Sequence, residues 1–208
     1  MSVLTEKLET QLRKSYQQPI LQSPTQGIWY TGADLLEDLT LCRTSLQQQA
    51  VRPGQAILIS ATNPATIPVL LIASWQLGLT VTLAPASSDL PELMTKRYAA
   101  MAYSTSQTLR LAKQVDPQKI SLLTLLLNTA PDFAYFVHDL APQPTVTKAP
   151  ALVLPLSQTS VSQAELLTAA LAPTQSTLIT NLYDLNTGIL PLLANLLAPT
   201  PFSLAAAG

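Results

Sequence analysis

The chain has 208 residues and a formal net charge of −1, with 48 % hydrophobic and 11 % charged residues. That length can bury a core without staples, and the near-neutral balance gives no long-range field to attract nucleic acid or an anionic membrane. Cys42 is the only cysteine, which excludes a disulfide framework and a thiolate metal cage.

From the amino terminus, residues 3–16 read as a short amphipathic helix with Leu4, Leu8 and Leu12 at every fourth position. Met1 to Lys14 lacks the apolar centre of a signal peptide. Ile20 to Gln22 and Ile28 to Tyr30 then read as strands of a hairpin around Ser23-Pro24-Thr25-Gln26-Gly27. Thr31 is placed to cap a helix, with Asp34 reaching back to it. Leu35, Leu39, Cys42 and Leu46 form the apolar stripe of that helix, which makes Cys42 a core residue. Glu37, Asp38 and Gln47 to Gln49 fall off the stripe, toward solvent.

Val51-Arg52-Pro53-Gly54 ends the helix, and Ala56 to Ser60 follows as a strand buried on both faces. A second helix opens at Asn63-Pro64, runs to Leu77 and closes at Gly78. The longest apolar stretch, Thr66 to Leu79, is interrupted by Pro68 and Gln76 and is too short to cross a bilayer. Thr80 to Leu83 is another buried strand, residues 90–97 are expected as a helix, and a strand is expected around Met101 to Ser104. This alternation signals crossover units in a parallel sheet. The fold class is therefore α/β, with mostly parallel sheets flanked by helices.

A helix is expected over Gln107 to Lys119, and Leu122 to Leu127 reads equally as strand or buried helix. Phe133 to Val137 is a short aromatic run, and residues 141–150 read as a linker. That divides the chain into a first α/β unit, 1–140, and a partial second unit, 151–208. In the second, Leu152 to Leu156 is expected as strand and Val161 to Leu171 as helix. Leu178 to Thr180 is expected as strand, 184–197 as helix, and Phe202 to Ala206 as a last strand.

Several motifs keep a family's order and spacing. Tyr30-Thr31-Gly32-Ala33-Asp34-Leu35-Leu36, Val51-Arg52-Pro53-Gly54-Gln55 and Asn63-Pro64 are followed in register by Trp75-Gln76-Leu77-Gly78-Leu79-Thr80-Val81-Thr82-Leu83-Ala84-Pro85. Together they resemble the opening of AMP-forming acyl and aminoacyl ligases: acyl-CoA synthetases, fatty acyl-AMP ligases, D-alanine–carrier-protein ligases and peptide-synthetase adenylation domains. The resemblance implies the fold of the N-terminal subdomains of these ligases. The matched residues are scaffold and imply no activity.

Further on, Val161-Ser162-Gln163-Ala164-Glu165-Leu166-Leu167 resembles the helix start that follows the family's ATP loop. Leu182-Tyr183-Asp184-Leu185 through Pro191-Leu192-Leu193 resembles the segment lining its acyl pocket. In amino-acid-activating members an aspartate in a Phe-Asp or Tyr-Asp pair there binds the substrate amine, which makes Tyr183 and Asp184 the substrate-binding candidates for an acyl or amino-acid ligand. The same pair fits the His-Asp pattern of fatty acyl-AMP ligases with the histidine lost. Asp184 also reads as a solvent-facing cap on the following helix.

The chain departs from the family where the chemistry resides. Family members carry a Ser/Thr/Gly-rich loop ending in Pro-Lys-Gly just before the helix, where backbone N–H groups and a lysine hold phosphates. Here that position reads Leu154-Pro155-Leu156-Ser157-Gln158-Thr159-Ser160, with no glycine between Gly78 and Gly188 and no lysine after Lys148. The family's adenine and ribose motifs and its catalytic-lysine domain have no counterpart in these residues. ATP with magnesium, and CoA, are expected only of an intact family member, and no cofactor is expected of this chain. His138 and Asp139 lack a nucleophile motif to serve, and Asp132, Asp139 and Asp184 lack metal-ligand spacing.

The expectation is a non-catalytic, ligase-like cytoplasmic protein with a binding or regulatory role. The alternatives are one half of a split ligase completed by another chain, or a self-associating module. A homo-oligomer or a complementary ligase chain is expected to cover an unfinished sheet edge at Phe202 to Ala206. No nucleic-acid partner and no membrane span are expected.

Overall fold

Helix α1, Val3–Lys14, begins where Ser2 and Thr5 cap each other reciprocally, and it buries Leu4, Leu8 and Leu12. The computed structural model describes residues 2–23, 27–94, 96–138, 149–172 and 176–205. Strands β1, Pro19–Ser23, and β2, Ile28–Thr31, pair antiparallel as a hairpin whose tip, 24–26, lies outside the described residues. Helix α2, Gly32–Gln48, starts at the capping box of Thr31 and Asp34 and buries Leu35, Leu39, Cys42 and Leu46.

Strand β3, Ala56–Ser60, leads through a 3-10 turn, Pro64–Thr66, into α3, Ile67–Gln76. Leu77 follows, and Gly78, at φ +70°, turns the chain into β4, Thr80–Leu83. Strand β5, Ala100–Tyr103, precedes α4, Thr105–Leu111; β6, Ile120–Leu125, and β7, Phe133–His138, form an antiparallel pair. Strands β8, Leu152–Leu154, and β9, Thr159–Val161, form a second hairpin, followed by α5, Gln163–Ala170. The chain closes with β10, Leu178–Ile179, a π-helical turn Leu185–Ile189, α6, Leu190–Leu197, and β11, Phe202–Leu204.

Two sheets result. One has the order β10-β11-β1-β2 and the other β6-β7-β5-β3-β4-β8-β9. In the larger sheet β5, β3, β4 and β8 run parallel, and the antiparallel hairpin strands lie outside them. Side chains alternate across this sheet as strand geometry requires. Ile57, Ile59, Ala100 and Ala102 join the main core with helices α1, α2 and α3 and with the smaller sheet. Met101, Tyr103 and Phe136 enter a second cluster on the opposite face, beneath α4.

Several expectations change. Asp38 is not at the surface: it is fully buried, and its carboxylate accepts hydrogen bonds from the Asn128 and Thr129 amides and from the Thr129 hydroxyl. Among the described residues of 90–97 there is no helix. Pro91 restrains Leu90 to extended conformations. Buried Gln107 holds the preceding segment by donating to the carbonyls of Ser87 and Asp89. Helix α4 starts at Thr105 and ends at Leu111 instead of spanning 107–119, and Pro117 disfavours its extension. The stretch 122–127 resolves as strand β6 with two residues beyond it.

Each sheet takes strands from both sides of 141–150; residues 139–148 themselves lie outside the described set. Strand β11 is not an edge. It lies between β10 and β1, parallel to both, and among the described residues β10 ends the sheet on that side.

Candidate functional site

The order β5-β3-β4 makes the chain step from β3 to one side and return on the other. Loops leaving the carboxyl ends of β3 and β5 therefore diverge to opposite faces, and in open α/β sheets that divergence opens a crevice. A cleft of about 340 Å³ lies there, lined by Thr62, Asn63 and Thr66 after β3, Ser104, Thr105, Thr108 and Leu109 after β5, and residues of the β6–β7 hairpin.

A chain of hydrogen bonds fixes one wall. Asp38 on α2 holds Thr129, the Thr129 carbonyl accepts from Asn63 Nδ2 at 2.8 Å, and Asn63 Oδ1 accepts from the Ala65 amide at 3.1 Å. On the opposite side the Thr105 hydroxyl donates to Asp132 Oδ2 at 3.1 Å. Sequence reading missed this cleft because its polar residues sit far apart in the chain. Only strand order brings them together.

The candidates Tyr183 and Asp184 lie before the π-helical turn, and neither lines this cleft. The Tyr183 hydroxyl donates to the carbonyl of Ala61, at the end of β3, at 3.3 Å, and burial pushes its phenol upward. Asp184 caps the turn: Oδ1 accepts from the Thr187 amide at 2.8 Å and from the Thr187 hydroxyl at 2.9 Å. Those bonds hold its carboxyl below the usual aspartate range. Asp184→Ala is expected to lower stability at neutral pH by about 1 kcal/mol. A depressed folded-state pKa stabilises above the unfolded value near 4 and loses that contribution as pH falls through the folded one. The gap between the two proteins in urea midpoints should therefore narrow below roughly pH 4. A gap of unchanged size in acid would contradict the assignment.

The position matched to the family's ATP loop is a closed hairpin. Leu154 pairs with Thr159 across the turn Pro155–Gln158, and Gln158 takes the left-handed conformation at φ +52°. The Trp75 indole, donating to the Ala151 carbonyl at 2.9 Å, anchors the hairpin at its base. Neither lysine nor arginine occurs from residue 149 to the end of the chain. Cys42 is buried, and burial together with Asp38 raises its thiol far out of the reactive range. Among the described residues no group of three or more His, Cys, Asp or Glu is placed to hold a metal, and no helix is long and apolar enough to cross a membrane.

No protein-family model and no curated protein sequence matches the chain. Solved structures do. The N-terminal domain of FACL13 from Mycobacterium tuberculosis, in an inhibitor-bound crystal structure, superposes with a TM-score of 0.65 at 10 % identity, covering 100 % of this chain and 58 % of that one. A benzoate CoA ligase from Burkholderia xenovorans LB400 gives 0.64 at 14 % identity, covering 100 % of this chain and 46 % of the ligase. NpsA-ThdA, an artificially fused adenylation–PCP di-domain from Klebsiella oxytoca, gives 0.62 at 11 % identity, covering 98 % and 40 %. The chain thus has the mixed α/β fold of the N-terminal part of adenylate-forming ligases and spans about half the length of these structures.

Proposed function

We propose that this chain is a ligase-like scaffold with no adenylate chemistry of its own, acting as a binding or regulatory module. The observation that supports this reading is the hairpin of β8 and β9. A phosphate cradle needs converging backbone N–H groups, glycines that tolerate close approach, and a cation. The turn here offers Pro155, which has no N–H, Gln158 as its left-handed residue, and no lysine. Tyr183 and Asp184 are proposed as contacts for an acyl or amino-acid ligand. The ionised Asp184 carboxylate would receive an amine in competition with Thr187. ATP-dependent pyrophosphate exchange, assayed with benzoate, long-chain fatty acids and amino acids, is expected to stay at background. Exchange with any of them that is lost in Asp184→Ala would overturn the reading.

A second reading has the chemistry completed by another polypeptide, or the chain paired with its own copy. It is favoured by strand β10, which ends its sheet among the described residues with Leu178 51 % exposed, since unpaired strand edges accept further strands. Light scattering at high concentration tests it, and a monodisperse monomer that binds no ligase chain would sink it.

A further inference from the structure

We propose that the cleft at the carboxyl ends of β3 and β5 is a binding site for a small, largely apolar molecule that is uncharged or cationic. Its volume, about 340 Å³, lies at the lower end of the range for small-molecule pockets. Its location, where neighbouring strand connections diverge, is where open α/β sheets take ligands.

Thr66 has an unmet polar group. It lines the cleft and is only 1 % exposed, and its Oγ1 has no hydrogen-bond partner among the described residues. A buried hydroxyl without a partner is costly and uncommon, and a polar group of a ligand in the cleft would offer it one once the side chain turned toward it. Thr66 stands at the junction of the 3-10 turn and α3, and its side chain makes no capping bond there.

The walls select the ligand. Leu109, Leu122, Ala130 and Phe133 offer apolar surface. Among the described residues Asp132 is the only charged member of the lining, and it stands exposed at the rim beside Thr105. With a carboxylate and no cation in that lining, an anion would be desolvated against a like charge, whereas a neutral or ammonium-bearing molecule would not. The site thus differs in ligand charge from one that holds carboxylates or phosphates.

Three probes of similar size isolate this property: tyramine (cationic), para-propylphenol (neutral) and para-hydroxyphenylacetate (anionic). Backbone amide NMR shifts should move saturably at residues 62–66, 104–109 and 130–134 with the first two and not with the third. Tyramine is expected to bind about threefold tighter than para-propylphenol, and Asp132→Asn should abolish that preference. Thr66→Val should weaken both by about tenfold while leaving the melting temperature unchanged or higher, because it removes a buried polar atom that has no protein partner. Equal binding of the anion, shifts confined to other residues, or no saturable shift at millimolar probe would overturn the proposal. So would undiminished affinity in Thr66→Val, which would leave only a water to satisfy the hydroxyl.

Discussion

Gly188→Ala is expected to lower the stability of the chain by about 3 kcal/mol or more, which for a domain of this size is a fall in melting temperature of roughly 10 °C. The cause is a close backbone approach. A Cβ at Gly188 would stand 1.9 Å from the carbonyl oxygen of Asn181 and 2.8 Å from Leu182 Cα. Both are main-chain atoms, so no side-chain rotation relieves the clash. Pro191, near the start of α6, supplies no N–H and crowds the carbonyl four residues before it. The wider register, with the Ile189 amide reaching back to the Asp184 carbonyl, accommodates it. Gly27→Ala is the control. Gly27 has φ +66°, and an added Cβ would meet nothing within 4 Å among the described residues, so its cost is confined to the left-handed backbone, about 1 kcal/mol. Urea denaturation of the two variants checks the contrast, and equal losses would contradict it.

Asp38→Ala is expected to cost about 3–5 kcal/mol, comparable to breaking other buried charged networks. The carboxylate accepts from the Asn128 amide at 2.7 Å, the Thr129 amide at 2.9 Å and the Thr129 hydroxyl at 2.7 Å. Truncation leaves those donors without an acceptor in the interior, and each unsatisfied group costs about 1–3 kcal/mol. Asp38→Asn keeps the shape and one acceptor oxygen but turns an NH₂ toward donors, so about half the loss is expected. The damage should reach the cleft. Thr129 is the residue whose carbonyl holds Asn63 at the entry to α3, so amide shifts at residues 62–66 should accompany the loss of stability. A loss below about 1 kcal/mol in Asp38→Ala would show that water replaces the carboxylate.

What was legible in the sequence was what local pattern determines. The capping box of Thr31 and Asp34, the stripe Leu35, Leu39, Cys42, Leu46, and the buried strands β3 and β4 all follow from spacing within a dozen residues. What was not legible depends on distant partners. Asp38 falls off the apolar stripe and reads as solvated, yet a loop about ninety residues further on supplies its hydrogen-bond donors. Residues 90–97 have helix-forming composition, but Gln107 takes the neighbouring carbonyls and Pro91 opposes the turn. Strand β9 was invisible because Thr159-Ser160-Val161 is short and polar and becomes a strand only by pairing with β8. The interior position of β11 is likewise a matter of pairing, with β1 some 180 residues earlier in the chain. Of the candidate site, Tyr183 and Asp184 were identified by likeness, and the helix-capping role was read for Asp184. The cleft lined by Thr66, Thr105 and Asp132 emerges only once the strand order is known.

Calorimetric titration of the chain with ATP·Mg²⁺ tests most directly the proposal that the β8–β9 turn offers no phosphate cradle. No saturable heat up to millimolar nucleotide is the predicted result, unchanged when Pro155 to Gln158 are replaced by a different polar turn. Saturable binding in the micromolar range that is lost on that replacement would contradict it, because the hairpin would then be holding phosphate without glycine or lysine.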